Sequence, residues 1–247
     1  MSDSLGDRMK GYEKIANHHL IKRIPVMIRV DGRAFHTLTR SLESFDSNFI
    51  KSMHISALAV AETIQGCKAV YVQSDEVTFC LMDYEQLKTM PWFDYDLEKL
   101  VSITAATMTG YFNRYYFEVG DTAPLTWSPA VFDARAYNIP HNEVVNAFLW
   151  RARDWCRNSL NMYCSKFFSV KQLHGKTNPE RHDMLHEIGK NWTTDLSERE
   201  RNGTFYIYNK ETGGFIERMD VLPTYASVAE AIGDLFNYND LDDKANG

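Results

Sequence analysis

The stretch PVMIRVDGR (residues 25–33) decides the fold, because a short apolar, partly β-branched run ends abruptly there at an Asp-Gly turn signal. A second stretch, AVYVQSDEVTFCLM (residues 69–82), carries two strand-like runs on either side of Ser-Asp-Glu. The runs 69–73 and 77–82 predict a β-hairpin with charge at its tip. Each stretch therefore places a carboxylate where a strand ends.

Helix-like segments surround these strands. Apolar residues recur at helical spacing in 5–16, 49–64, 97–117 and 141–161, and residues 131–136 predict one more strand. The order β–α–β–β–α–β, with a helix before and after it, is typical of the ferredoxin-like split βαβ unit. We therefore predict an α+β fold with an antiparallel sheet and two crossover helices on one of its faces.

The C-terminal third has a different pattern. Residues after Lys171 are more polar and less regular, a strand-like run follows at 204–208, and residues 221–236 are again apolar-periodic. The sequence contains no repeat and no convincing linker. We expect one catalytic chain, with a core over about 1–165 and a C-terminal extension over 166–247.

Composition narrows the class of protein. The chain has 247 residues, 44% of them hydrophobic and 13% aromatic, which is ample for a folded core. Its net charge of −6 weakens a nucleic-acid role without excluding one, since a local basic face is sufficient. Four cysteines without a CxxC pair indicate reduced thiols. No apolar stretch approaches the ~20 residues of a membrane span, so we expect a cytoplasmic protein, with the mitochondrion as the alternative.

The two aspartates are the candidate metal ligands. Asp31 and Asp75 each follow a strand, and the two strands belong to one predicted sheet, so both carboxylates can meet at one edge. Mg²⁺ prefers oxygen ligands and is often held by one or two carboxylates plus substrate phosphates. Gly32 lets the backbone approach a metal or phosphate closely. Either motif alone is usually an ordinary solvated turn, whereas the pair favours metal-dependent phosphoryl or nucleotidyl chemistry.

Two segments carry a resemblance to a known family. Residues 28–36 and 71–79 resemble the two signature blocks of the tRNA-histidine guanylyltransferase family, which includes templated 3′-to-5′ polymerases. The resemblance continues through 150–159 and, weakly, through 173–177. It implies a polymerase-type palm domain over about 1–165 and a homotetramer, a dimer of dimers, with tRNA lying across subunits. The extension over 166–247 would then serve tRNA binding or oligomerisation.

The resemblance also implies a reaction and its site residues. Members add nucleotides to the 5′ end of tRNA, which is first activated by ATP or already carries a triphosphate; the 3′ hydroxyl of GTP or another nucleoside triphosphate (NTP) then attacks it. Two Mg²⁺ ions would be held by Asp31, the Gly32 carbonyl and Asp75, with Glu76 as a further ligand or as a residue that holds one in place. The implied nucleotide contacts are Gly32, Arg33, Ala34, Phe35, His36, Asp46 and Ser74. The candidate tRNA contacts are Arg29, Asp154, Arg157, Asn158, Lys171 and Lys176.

The sequence departs from the family pattern in two places. Eukaryotic guanylyltransferases carry a different motif where this chain has Arg151–Ser159, and the version here looks like that of the bacterial and archaeal repair-type members. This favours templated addition to 5′-truncated tRNAs over strict tRNA-histidine specificity. In many members a Lys before the position of Phe45 helps to hold the NTP phosphates. That Lys is absent here, and Arg40 is a hypothetical substitute.

Other functions were weighed against this one. A module that binds NTP or RNA without catalysis would fit the missing Lys, but the intact Asp31 and Asp75 motifs argue against it. A palm-type nucleotide cyclase would carry Gly-Gly in its hairpin, where this chain has Gln73-Ser74. A zinc site at His182 and His186 lacks the Glu that should follow the first His, so we expect solvated histidines.

Overall fold

The computed structural model describes residues 4–40, 42–86, 88–119 and 129–236, which form one sheet with helices packed on both of its faces. The six strands of the sheet are all antiparallel to their neighbours, in the order β4-β1-β3-β2-β5-β6. The strands are β1 (Val26–Gly32), β2 (Cys67–Gln73), β3 (Glu76–Leu81), β4 (Phe132–Asn138), β5 (Thr204–Asn209) and β6 (Gly214–Arg218). The order of the first four is that of the ferredoxin-like unit, which confirms the predicted fold class.

Alternation along the strands builds one core on each face of the sheet. On the first face, β1 contributes Val26, Ile28 and Val30, which pack beneath the helices α3 (Ser47–Thr63) and α4 (Leu97–Val119). These two crossover helices cover the same face, as the sequence predicted. On the second face, Met27 packs beneath α5 (Val144–Cys164) and α10 (Tyr225–Ile232). Because Arg29 and Asp31 share the parity of Met27, they lie on the α5 face.

Short capped helices follow α5 where the sequence suggested irregular structure. They are α6 (Val170–Leu173), α7 (Asn178–Glu187), α8 (Trp192–Asp195) and α9 (Glu198–Asn202). Capping boxes begin three of them, at Ser169, Thr177 and Ser197. Leu185 and Leu196 pack with the C-terminal half of α5, so these helices form a helical lobe beside the sheet.

The C-terminal segment extends the sheet and does not form a separate layer. β5 pairs with β2, and β6 pairs with β5, so the predicted strand at 204–208 continues the core sheet. The apolar stretch 221–236 forms α10 and a final 3₁₀ turn on the α5 face. The proposed division at about residue 165 stays a prediction, and its last part, 237–247, lies outside the described residues.

The N-terminal helix α1 (Leu5–Lys14) makes no buried contact. Its apolar residues Leu5 and Tyr12 are 66% and 70% exposed, and no residue of the helix is buried. A second short helix, α2 (Phe35–Leu38), begins three residues after the end of β1. Across the described ranges, the helices are too short or too polar to cross a bilayer.

Candidate active site

The ends of β1 and of the β2–β3 hairpin meet at one edge of the sheet. Gln73 pairs with Glu76, so Ser74 and Asp75 form a two-residue turn. The Gly32 N–H donates to the Asp75 carbonyl at 3.1 Å, and Asp31 lies directly opposite Glu76 in the strand register. The structure therefore brings Asp31, Gly32 and Asp75 together, as the spacing predicted.

Local backbone geometry around this edge is unusual. Ala34, Phe45 and Ser74 have positive φ values of 56°, 65° and 45°, a region that costs non-glycine residues about 1–3 kcal/mol. Such strain persists only where surrounding contacts enforce it, and it clusters at functional sites. The three residues all line the same cavity, described below.

The structure gives a reason for glycine at position 32 that the sequence did not reveal. A Cβ atom there would lie 2.4 Å from the ring of Phe35. That ring is buried and packs against Phe49, Phe112 and Phe132, so it cannot easily move. The sequence predicted a close approach of ligand to this glycine, and the structure shows a close approach of Phe35.

The acidic edge suits a hard cation. Burial raises the pKa of Asp75 above its ordinary value of 3.8, and the neighbouring negative charge of Asp31 adds to the rise. A divalent cation would offset this repulsion, and the donors at this edge are all oxygens, as Mg²⁺ prefers. In the described ranges, no group of three or more His, Cys, Asp and Glu side chains is arranged to hold a metal ion without further ligands. Substrate oxygens would therefore have to complete the coordination.

Glu76 is held in a buried ion pair. Arg151 of α5 donates from Nε to Oε1 and from Nη2 to Oε2, both at 2.7 Å. Gln73 donates to Oε1 at 3.0 Å, and the Arg29 Nε lies 4.0 Å from Oε2. Burial raises the pKa of Glu76, whereas the hydrogen bonds and charge of Arg151 oppose that rise. Of the two roles considered for Glu76, these contacts favour holding the site in place over metal ligation.

A cavity of about 470 Å³ opens beside Asp75, within the range usual for small-molecule sites. Of the seven predicted nucleotide contacts, only Arg33 does not line the cavity. The six that do are Gly32, Ala34, Phe35, His36, Asp46 and Ser74. Asp31 does not line it, so the cavity lies on the Asp75 side of the edge. Asp46 also caps α3 by accepting from the Phe49 N–H at 2.7 Å.

Two cavity residues that sequence reasoning missed carry buried polar atoms without a partner in the described part of the chain. They are Trp155, through its indole Nε1, and Gln73, through its amide Oε1. Buried polar atoms are normally hydrogen-bonded, so a ligand with an acceptor and a donor group would satisfy both. Trp155 lies within the segment 150–159 that resembles the family, and no pattern in the sequence marks it as a pocket residue.

A polar network forms the wall of the cavity. Arg199 donates to Glu217 Oε1 at 2.7 Å, and the Tyr206 hydroxyl donates to the same oxygen at 2.7 Å. Since that hydroxyl has used its proton, the His54 Nδ1–H must donate to the Tyr206 oxygen, 2.8 Å away. Burial, then the charge of Arg199, lowers the pKa of His54 to about 3, so the ring stays neutral.

Arg199 is the single Arg or Lys among the described residues that line this cavity. Arg40, the hypothetical substitute for the missing Lys, is exposed and does not line it. Sequence reasoning could not find Arg199, because it lies far along the chain from the two signature blocks. A cation does face the cavity, but it comes from α9.

The predicted tRNA contacts fall into two groups. Arg29 lies beside Glu76, and Asp154 binds its helix neighbours: it accepts from Arg151 at 3.2 Å and also pairs with Arg157. Asn158 reaches the same carboxylate at 3.5 Å. Lys171 and Lys176 instead lie on the helical lobe, do not line the cavity, and Lys176 pairs with Glu180. The structure therefore places four of the six residues on β1 and α5 and the other two on the helical lobe.

Comparison with known proteins identifies the family. The family model described as tRNAHis guanylyltransferase matches residues 6–140, more than half of the chain. The chain belongs to the tRNA(His) guanylyltransferase family. The matched range contains Asp31, Asp75 and Glu76, whereas Arg151 and Arg199 lie beyond it.

Solved structures of the family match nearly the whole chain. A bacterial tRNA(His) guanylyltransferase-like protein in complex with ATP is 33% identical, with a TM-score of 0.86; the match covers 96% of this chain and 100% of that one. A bacterial protein of the same description in complex with GTP is 29% identical, with a TM-score of 0.77 and the same coverage.

Curated members of the guanylyltransferase family match over a shorter range. The probable tRNA(His) guanylyltransferase of Mus musculus is 28% identical over 156 residues, which is 62% of this chain and 50% of the mouse protein. The chain thus spans about half the length of the mouse relative.

Proposed function

We propose that this protein is a nucleotidyltransferase that adds nucleotides to the 5′ end of tRNA in the 3′-to-5′ direction. The observation that carries the proposal is the edge where Asp31, Gly32 and Asp75 meet, next to a cavity of about 470 Å³. Family membership and the ATP- and GTP-bound structures of similar proteins supply the substrate class.

The donor set fits two Mg²⁺ ions. The carboxylates of Asp31 and Asp75 and the carbonyl of Gly32 would hold them, with substrate phosphates completing the coordination. Such ions neutralise charge on the attacking and leaving oxygens of a phosphoryl transfer. Glu76, which lies opposite Asp31 in the strand register and is fixed by Arg151, would hold this part of the edge in place.

The cavity would hold the NTP. Gly32, Ala34 and Ser74 offer backbone close to the acidic edge, and Arg199 supplies the cation that the sequence lacked before Phe45. The unpaired Nε1 of Trp155 offers a donor to the nucleotide. Only the Oδ1 atom of Asp46 accepts the capping hydrogen bond from the Phe49 N–H. The second carboxylate oxygen would make the implied contact to the base of the NTP.

The reaction joins two phosphorylated substrates. In the activation step, the RNA 5′-phosphate attacks the α-phosphorus of ATP and displaces pyrophosphate; an RNA that already carries a triphosphate skips this step. The 3′ hydroxyl of the incoming NTP then attacks the 5′ phosphorus, and AMP or pyrophosphate leaves. Positioning and charge neutralisation are the main demands of such transfers, so no protein nucleophile is required.

We further propose templated repair of 5′-truncated tRNAs as the specificity, because the Arg151–Ser159 block has the repair-type sequence. A homotetramer is part of this proposal, and the exposed apolar residues of α1, Leu5 and Tyr12 among them, offer a surface for contact between copies. The tRNA contacts, the role of the C-terminal extension and a cytoplasmic location belong to the same proposal, with the mitochondrion as the alternative location.

The experiment measures nucleotide addition. Purified protein, Mg²⁺ and each labelled NTP are incubated with two 5′-triphosphorylated tRNAs: tRNA-histidine without its extra 5′ G, and another tRNA truncated by one 5′ nucleotide. Asp31→Asn and Asp75→Asn remove one charge each at constant shape. Asp183→Asn, an exposed carboxylate on α7, is the matched control.

Template-matched addition to both RNAs, lost in D31N and D75N and kept in D183N, is the expected result. Addition of G to tRNA-histidine alone would refute the repair specificity and leave the nucleotidyltransferase. Failure to extend either RNA, with GTP still bound, would overturn the proposed function in favour of a binding role.

A further inference from the structure

A large aromatic side chain is exposed to solvent on the α5 face of the sheet, close to the acidic edge. Trp150 of α5 is 56% exposed. The guanidinium carbons of Arg151 and Arg29 lie 4.5 Å and 5.9 Å from its ring centroid. Both guanidiniums also lie beside one carboxylate, that of Glu76. More than half of the surface of Trp150 is nevertheless left to solvent.

Trp150 lies near Asp31 and not in the cavity. Arg29 and Asp31 are two residues apart on β1 and share its α5 face, about 7 Å apart along the strand. Glu76, which holds both arginines, is the cross-strand partner of Asp31. Neither Asp31 nor Trp150 lines the cavity, whereas Asp75 does. The acidic edge therefore lies between the cavity, on the Asp75 side, and the exposed part of α5 that carries Trp150, on the Asp31 side.

A nucleotidyl transfer needs two substrates at one acidic edge. The cavity accounts for the NTP, which leaves the Asp31 side of the edge, where Trp150 is exposed, for the RNA end. The outer face of a 5′-terminal base has no stacking neighbour in the RNA, and base faces stack on aromatic side chains. Arg135, the exposed register partner of Arg29, adds a guanidinium on the same face of the sheet.

We propose that Trp150 is a stacking platform for the 5′-terminal base of the RNA acceptor. The Arg29–Glu76–Arg151 cluster, which contacts the indole, would hold the ring in place. This inference rests on the proposed function for the identity of the RNA. It assigns to Trp150 a binding role that is separate from the chemistry at Asp31 and Asp75.

The test measures RNA binding without turnover. The probe is a 5′-triphosphorylated tRNA truncated by one 5′ nucleotide, with Mg²⁺ and no NTP. Trp150→Ala should raise the RNA Kd about 5- to 150-fold, and Trp150→Phe should stay within about three-fold of wild type. The same RNA with an abasic 5′-terminal nucleotide should bind wild type and W150A about equally. Tyr225→Ala, which removes an aromatic side chain that is 54% exposed, is the surface control.

Two further readouts separate stacking from other roles. The Kd for GTP with Mg²⁺ should be unchanged in W150A, because the cavity is untouched, and the sedimentation coefficient should also be unchanged. A smaller sedimentation coefficient would overturn the proposal and make Trp150 a contact between copies of the chain. An unchanged RNA Kd, or W150F as weak as W150A, would overturn it too.

Failure of the inference and failure of the proposed function give different results. If the wild type binds the RNA through Trp150 but adds no nucleotide, the proposed function falls and the platform stands. If addition occurs and W150A binds RNA like wild type, the platform falls and the function stands.

Discussion

Replacement of Arg151 by Met should destabilise the protein strongly, because it leaves Glu76 buried without its main partner. The side chains of Arg151 and Glu76 are only 11% and 9% exposed, so solvent screens the pair little. Met keeps much of the apolar stem of Arg and removes the two 2.7 Å hydrogen bonds.

The magnitude follows from what remains around Glu76. Removing one partner of a buried ion pair costs about 3–5 kcal/mol. Gln73 still donates at 3.0 Å and Arg29 remains 4.0 Å away, so we expect the lower end, about 3 kcal/mol. For a chain of this size that corresponds to a Tm lower by about 6–12 °C. Glu76→Gln should cost less, because Arg151 keeps Asp154 at 3.2 Å.

The defect should depend on pH. Burial raises the pKa of Glu76 in the folded protein, and loss of Arg151 raises it further. A carboxyl with a raised folded pKa contributes stability at low pH that is lost as pH rises through the folded pKa. The difference between wild type and R151M should thus be smallest below the ordinary Glu pKa of 4.5 and should grow toward neutrality.

The assay is urea unfolding followed by circular dichroism at about pH 4 and about pH 8, at fixed protein concentration. Arg157→Met is the control, since Arg157 lies on the same helix, pairs with Asp154 and is 61% exposed; it should change stability by less than about 0.5 kcal/mol. A loss below about 1 kcal/mol in R151M, or one independent of pH, would refute the reasoning.

Three more outcomes are expected. Asp75→Asn should abolish nucleotide addition in the presence of Mg²⁺. In EDTA the same variant should have a higher Tm than wild type, and the gain should grow as pH rises above the ordinary Asp pKa of 3.8, since burial and Asp31 disfavour the charge of Asp75; an unchanged Tm would contradict this. Gly32→Ala should lower stability by about 1–3 kcal/mol in thermal melts, because its Cβ would lie 2.4 Å from the Phe35 ring, and should cost less in a Phe35→Leu background. GTP with Mg²⁺ at about 100 times its Kd should stabilise the wild type by about 2.7 kcal/mol, and Asp31→Asn should reduce the effect.

The sequence predicted the acidic edge because its determinants are local. Asp31 and Asp75 each follow an apolar strand, and the β–α–β–β–α–β order fixes which strands are neighbours. The same order predicted that α3 and α4 share one face. In each case, periodicity over a few residues carries the information.

The surroundings of the edge could not be predicted, because they depend on contacts between distant segments. Glu76 and Arg151 are 75 residues apart, and no local pattern links them. Arg199 reaches the cavity only because β5 adds to β2 and carries α9 with it. The exposure of Trp150 likewise depends on how α5 lies across the sheet, which spacing alone does not set.

The left-handed residues around the cavity bear on protein engineering. A screen for heat tolerance should favour Gly or Asn at Ala34 and Ser74, because these residues adopt positive φ at lower cost than Ala or Ser. A glycine there would also widen the range of shapes that the turn samples. Variants selected for robustness alone would therefore trade a fixed cavity for a more pliable one, and their catalytic rates would fall as their melting temperatures rose.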